Sequence, residues 1–359
     1  MVRAIGVICL LALFLLSCKK DAVDYIPTPY ALEIPSHFPQ MVIPADNPMT
    51  VEGVELGRHL FYEKRLSLDN TIACASCHSP QNAFSDDRVR SLGVNGTPGD
   101  RHSMALVNLG WQKFLFWDGR ARTLEQQILE PVPNPVEMHL EWKVAATKIE
   151  NDLYYKRMFQ KAFGTHYIDS TLISKAIAQF LRTMISGDSK YDVLYKLANN
   201  VPLTPKDQQL NQSITPEERA GYDLFMSLNG ADCLHCHNGP LMQVQIMSNN
   251  GLDAYHTDLG YGKVTGNPND NGKFKVPTLR NIALTGPYMH DGRFTTLDQV
   301  IEHYSSGIQI SPTIDPLIEY AFQGGVQLNT YQKQLLKKFL HTLTDSSFVT
   351  NPKFAAPIH

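Results

Sequence analysis

Apolar residues recur along this chain at helical rather than strand spacing. Between Leu172 and Met184 they fall at 172, 173, 176, 177, 180, 181 and 184, one face of a helix, with Ser170 or Thr171 placed to cap it. From Tyr331 to Leu343 the same spacing brings Leu335, Leu336, Phe339, Leu340 and Leu343 together. Thr50 is the N-cap of a third pattern that runs to Phe61. A fourth starts at Thr215-Pro-Glu-Glu218, a capping box with proline at the first helical position, and continues through Ala220 to Phe225. Strict alternation is scarce, and the connections are long and rich in Gly, Asn and Pro, notably 249–272. Prolines at 27, 29, 35, 39, 44 and 48 forbid a helix there and predict an extended tether and wrapping segment. The pattern predicts a mainly α fold with long connecting loops.

Two of these helices each lead, after a short connection, into the same five-residue motif: Cys74-Ala-Ser-Cys77-His78 and Cys233-Leu-His-Cys236-His237. Thiols at this spacing add across the two vinyl groups of a haem, and the adjacent imidazole coordinates its iron. The spacing predicts two covalently bound c-type haems, held by Cys74, Cys77 and His78 and by Cys233, Cys236 and His237. The likeness extends downstream. Leu106-Val-Asn108, nine residues and then Asp118-Gly-Arg120 with Thr123-Leu124 are matched by Leu279-Arg-Asn281, nine residues and Asp291-Gly-Arg293 with Thr296-Leu297. The expected organisation is therefore an internal duplication. Two cytochrome c-like haem domains, 49–200 and 201–350, follow a segment at 18–48 and precede a tail at 351–359.

Composition narrows the function. The chain has 359 residues, 43% hydrophobic, and a formal charge of -3 without a basic run, which excludes nucleic acid and an anionic membrane surface as partners. Of six cysteines, four lie in the two motifs and the others are Cys9 and Cys18, so none remains for a structural disulfide. Met1-Val-Arg3 and the apolar run from Ala4 to Leu16 read as a secretory signal, too short for a membrane span. Leu15-Leu16-Ser17-Cys18 resembles a bacterial lipobox, which implies loss of 1–17 and acylation of Cys18; the other reading is ordinary signal cleavage with Cys18 a spectator. Covalent haem attachment occurs outside the bacterial cytoplasmic membrane, so the expected location is the periplasm or cell envelope. The only membrane contact would be through the lipid anchor.

The order CxxCH, Phe116-Trp-Asp-Gly-Arg120, Asn134-Pro-Val-Glu-Met138, CxxCH and Leu279 to Arg293 resembles the bacterial di-haem cytochrome c peroxidase and MauG superfamily over nearly all of the mature chain. The resemblance implies that hydrogen peroxide reacts at the N-terminal haem. Electrons would be relayed by the C-terminal haem from a donor protein such as a small cytochrome or cupredoxin. In the MauG-like alternative, residues of a partner protein are oxidised instead. A plain electron-transfer cytochrome is the reading from another class, and it leaves two candidate catalytic residues idle. Peroxide cleavage needs a group that shuttles a proton between the oxygens. Glu137, after the stiff Pro131-Val-Pro-Asn-Pro135 segment, matches the family's acid–base residue; Gln127 matches a distal-pocket residue, and Trp117 the indole between the haems. Arg120 and Arg293 pair either with haem propionates or with acids of their own turns.

Two positions depart from the better-known peroxidases. Val94 stands where they carry a distal histidine, which implies a first haem that is five-coordinate at rest, with His102 the rival ligand. His102 aligns with an asparagine that binds calcium in relatives; imidazole is a poor ligand for a hard cation, so calcium stays open, with Thr285 and Pro287 as carbonyl candidates. Tyr304 matches the sixth ligand of the second haem, a methionine in high-potential relays and a tyrosine in MauG-like proteins. His303, Met289, Met242 and Met247 are its rivals. Relatives often dimerise, so a homodimer is also implied.

Overall fold

The computed structural model describes residues 25–358, so the expected signal peptide and the lipidation candidate Cys18 lie outside the described residues. What is described is mainly helical. Its one regular sheet is an antiparallel pair, Met247–Ser248 with Phe274–Lys275, and the long 249–272 loop lies between the two strands.

The caps explain where the helices begin. Thr50 takes extended backbone angles and its hydroxyl accepts the Gly53 N–H at 3.0 Å, starting helix Val51–Phe61. At helix Pro216–Phe225, Thr215 accepts the Glu218 N–H at 3.2 Å, and the Glu218 carboxylate takes the Thr215 N–H at 2.7 Å. Helix Ser170–Thr183 corrects the sequence reading by one position. Its cap is Asp169, whose carboxylate accepts the Leu172 N–H at 2.8 Å, and a charged cap also favours the positive helix terminus. Helix Thr330–His341 starts from Asn329, and the buried Leu343 lies just beyond its end.

Each half is built on one close helix crossing. Val51–Phe61 meets Ser170–Thr183 at Gly57, where an added Cβ would lie 1.9 Å from the Ala176 carbonyl oxygen and 2.9 Å from Phe180 Cβ. Pro216–Phe225 meets Thr330–His341 at Gly221, where a Cβ would lie 2.2 Å from the Leu335 oxygen and 2.9 Å from Phe339 Cβ. Backbone is in the way at both positions, so a methyl group must push the helices apart. Gly57→Ala is expected to destabilise the haem-loaded protein by about 1–3 kcal/mol in chemical denaturation. Gly99→Ala, where the nearest atom to a Cβ is 3.6 Å away, is expected to stay within about 0.5 kcal/mol of wild type.

The turns between CxxCH and the following helix also correspond. Asn108 and Asn281 are left-handed at φ 54° and 61°, Phe116 and Met289 at 62° and 74°, Gly119 and Gly292 at 68° and 70°. Bridges Leu115↔Ala121 and Tyr288↔Phe294 close the two Asp-Gly-Arg turns. Thr123 and Thr296 then cap the helices Leu124–Ile128 and Leu297–Ser306.

Two apolar cores result, and their membership moves the expected boundaries. Helix Lys190–Ala198 falls within the expected 49–200 half, but its Tyr191, Val193 and Leu194 belong to the second core with Phe225, Leu336 and Phe339. The cores therefore part near 185–189. The described part of the tail, 351–358, is held by the first core: Phe354 packs with Phe348, Phe84 and Phe180, and its carbonyl accepts the Tyr62 hydroxyl at 2.6 Å. From the described part of the proline-rich segment, side chains reach both halves. His37 reaches Asp192 at 2.6 Å, and the same carboxylate takes Arg280 N–H groups at 2.6 and 2.7 Å. Asn47 holds Glu125 at 2.7 Å.

Candidate functional site

Both CxxCH motifs open into cavities, and in both the histidine is prepared in the same way. The Nδ1–H of His78 donates to the Phe84 carbonyl at 3.1 Å, which leaves Nε2 with its lone pair free. The turn that aims this carbonyl is tight, with Ala83 and Phe84 both left-handed. In the second half His237 Nδ1–H donates to the carbonyl of Met242, another left-handed residue, at 3.4 Å. Burial lowers each imidazole to about 4, so both rings are neutral at pH 7, the form that ligates a metal. Burial also pushes Cys74 and Cys233 up to about 12, and Cys77 and Cys236 to about 11, so the four side chains are thiols there. Paired thiols beside a neutral imidazole, on the wall of a largely apolar cavity, fit a c-type haem in each half.

The first cavity brings together Cys74, Cys77, His78, Arg120, Gln127 and Glu137. Glu137 sits on a turn fixed at both ends. Met138 N–H donates to the Pro131 carbonyl at 3.2 Å and Leu140 N–H to the Val132 carbonyl at 2.8 Å. The side-chain amide of Asn134 donates to Glu137 Oε1 at 2.7 Å, which sets the carboxyl's orientation. Burial raises the Glu137 pKa above the usual carboxylate range, against the lowering effects of the Asn134 hydrogen bond and the Arg120 charge. Arg120 pairs with Asp118 at 3.0 Å and lies over the Phe116 ring, yet still borders the cavity. Arg293 pairs with Asp291 and Asp253 at 2.7 and 2.8 Å, and it is not among the residues lining either cavity.

The residues expected above the first iron separate clearly. Val94 is buried, and its N–H donates to the Glu137 carbonyl at 2.8 Å. His102 borders both cavities, but both ring nitrogens are engaged, Nδ1 with the Arg88 carbonyl at 3.1 Å and Nε2 with the Ser85 hydroxyl at 3.3 Å. Among the described residues, His78 and His102 are the imidazoles that line this cavity. Trp117 lines both cavities, its indole N–H donating to the His102 carbonyl at 2.8 Å.

The second cavity gathers Cys233, Cys236, His237, Met289 and Tyr304. Tyr304 comes from helix Leu297–Ser306; burial pushes its phenol up to about 12, and its oxygen accepts the Asn250 amide at 3.2 Å. The same amide lies 3.5 Å from the Met289 sulfur. His303 turns its Nε2 to the Asn250 carbonyl at 3.2 Å, and neither it, Met242 nor Met247 lines this cavity. Of the rivals to Tyr304, Met289 alone shares its cavity. Thr285 and Pro287 also lie on this wall, and the nearby His290 carbonyl accepts the His102 N–H at 2.8 Å. Among the described residues, no group of three or more His, Cys, Asp or Glu side chains is arranged to hold a metal ion by itself.

Sequence reasoning does not single out Asn134 or Asn250. Asn134 carries a signal, since it lies three residues before Glu137 in a turn. Asn250 carries none, because it reaches Tyr304 from a loop 54 residues away.

A family model described as di-haem cytochrome c peroxidase matches residues 51–200. The chain is 34% identical over 328 residues to the cytochrome c551 peroxidase of Nitrosomonas europaea, covering 89% of this chain and 87% of that protein. It is also 34% identical over 267 residues to the methylamine utilization protein MauG of Methylophilus methylotrophus, 73% of this chain and 75% of that one. Among solved structures, a MauG-like protein associated with microbial copper homeostasis superposes with a TM-score of 0.81 at 34% identity, over 91% of this chain and 99% of that chain.

Proposed function

The chain belongs to the di-haem cytochrome c peroxidase family, and we propose that it reduces hydrogen peroxide to water in the cavity shared by His78, Gln127 and Glu137. It is a peroxidase-type oxidoreductase with two haems. The proposal adds covalent attachment through Cys74 and Cys77 and through Cys233 and Cys236, with His78 and His237 as iron ligands. The observation that carries it is Glu137, a carboxyl held by Asn134 and raised by burial on the wall of the same cavity as the first CxxCH.

When bound, the haems supply the two electrons that peroxide reduction consumes, together with two protons, to give two waters. The chain's residues manage the protons. Glu137, when ionised, takes a proton from one peroxide oxygen and returns it to the other, which departs as water. The Gln127 amide is the available hydrogen-bond partner for the departing oxygen. His102, tied at both nitrogens, would not be free to ligate an iron held by His78, and Val94 would add no ligand. Trp117, bordering both cavities with its N–H satisfied, is the rigid aromatic link between them. Calcium is left out, because the Thr285 and Pro287 candidates share their wall with the His102 imidazole. We read the two halves as copies of one haem-binding unit, on the strength of their matching glycine crossings and left-handed turns. We place the protein in the cell envelope, anchored through Cys18. Among the described residues no helix is long and apolar enough to cross a membrane.

The test is steady-state peroxide reduction by the purified protein with a reduced small c-type cytochrome or a cupredoxin as donor. Turnover of about 1–10³ s⁻¹ supports the peroxidase reading. Donor left unoxidised, with oxidation of residues on a partner protein instead, supports a MauG-like role. That second reading is favoured by Tyr304, a phenol and not a thioether, beside the second CxxCH. A phenolate favours ferric iron where a thioether favours ferrous. Tyr304→Met is therefore expected to raise the midpoint potential of the second haem by more than about 59 mV, tenfold in the one-electron equilibrium. Spectroelectrochemical titration checks this, and an unchanged potential would argue that Met289 is the ligand.

A further inference from the structure

Four lysine and arginine side chains are buried among the described residues: Arg182, Lys196, Lys275 and Arg280. Three have a carboxylate. Arg182 holds Glu125 at 2.8 Å, Lys196 holds Asp207 at 2.9 Å, and Arg280 holds Asp192 at 2.6 Å. Lys275 has no hydrogen-bond or ion-pair partner for its ammonium among the described residues, although it is only 5% exposed. Isolated in this way, a cation tends to lose its proton, and burial alone lowers Lys275 to about 8. Its position is equally distinctive. Lys275 ends the strand Phe274–Lys275, its backbone N–H donates to the Trp117 carbonyl at 2.7 Å, and with Trp117 and His102 it lines both cavities. The strand thus fixes a lone cation where the two cavities meet.

A buried ammonium with no counter-charge from the protein needs one from what fills the cavity. A haem brings two carboxylates, its propionates. We propose that Lys275 is the ion-pair partner of a haem propionate at the junction of the two cavities, and so positions the haems and sets their potentials. This rests on the two-haem reading above. The ammonium offsets the propionate charge, which otherwise favours the ferric state. Removing it lowers the potential. Because Lys275 touches both cavities, the larger shift identifies the haem that it holds.

The test uses the full haem-loaded protein. Haem content is measured first by the pyridine haemochrome assay; fewer than two haems in the wild type would sink the two-haem reading itself, separately from the role of Lys275. Spectroelectrochemical titrations of Lys275→Met and Lys275→Arg follow. The expected result is that Lys275→Met raises the ferric-to-ferrous ratio of at least one haem at least tenfold at fixed applied potential, about 59 mV for one electron. Lys275→Arg, which keeps the charge, should restore most of the shift. Where Lys275→Met does not accumulate with two haems, Lys275→Gln carries the same comparison. Potentials of the neutral variant within twofold of wild type in that ratio would overturn the proposal. So would an arginine variant shifted as far as the neutral one, since that points to packing and not to charge.

Discussion

Replacing Glu137 with glutamine is expected to slow the reaction with hydrogen peroxide by about 10²–10⁴-fold, the range that general acid–base catalysis contributes, with both haems retained. The substitution preserves shape, and the new amide oxygen can still accept from the Asn134 side chain that now lies 2.7 Å from Glu137 Oε1. What is lost is a site that can hold and release a proton. The pH profile separates this role from a structural one. Burial raises the Glu137 pKa, and the group must be ionised to accept a proton. The wild-type rate should therefore fall as pH drops through that raised value, and the variant should lack this limb. Stopped-flow rate constants across the acid range measure both effects. A loss below about threefold, or an acid limb that survives in the variant, would remove Glu137 from the chemistry.

The second large effect concerns the thiols. Cys74→Ala combined with Cys77→Ala is expected to abolish the peroxide reaction and leave one covalent haem per chain; Cys233→Ala with Cys236→Ala should also leave one. The two variants differ in what survives. Without the first pair, the cavity that holds Glu137 and Gln127 would lose its haem, and the remaining one would belong to the cavity lined by Tyr304 and Met289. Without the second pair, the oxidised protein should still react with peroxide, yet turnover with an external donor should fail. Mass spectrometry of the denatured chain counts the attached haems, and a stopped-flow trace reads the reaction. Equal peroxide reactivity in both double variants would overturn the division of labour between the halves.

What the sequence made legible was local. Two CxxCH motifs, a Thr-Pro-Glu-Glu start and the hydrophobic face at 172–184 each concentrate their physics within a few residues, so helices, most of their caps and the Cys and His side chains that line the two cavities could be read directly. Even locally the competition between caps was close. Asp169 wins over Ser170 and Thr171 because a carboxylate one position earlier reaches the Leu172 N–H. Assignment of elements to cores was harder, since an amphipathic face does not say what covers it. Helix Lys190–Ala198 follows the first half in sequence but packs in the second, and Phe354 returns to the first core from the end of the chain. The site was legible where a motif surrounds the residue, as at Glu137 and Trp117. It was not legible where a lone polar residue arrives from a loop or a two-residue strand, as with Asn250 beside Tyr304 and Lys275 between the cavities. No periodicity marks such positions; only the tertiary arrangement gives them partners or leaves them without one.

We propose that the first cavity receives peroxide without prior displacement of a protein ligand, because Val94 is buried with its N–H on the Glu137 carbonyl and both ring nitrogens of His102 are engaged. The most direct measurement mixes the fully oxidised protein with one equivalent of hydrogen peroxide in a stopped-flow spectrometer and follows the haem bands. A fast spectral change without any pre-reduction is the predicted result. Reaction only after half-reduction would contradict it, and would mean that a side chain, with His102 the first to test by substitution, leaves its present hydrogen bonds to cap the iron.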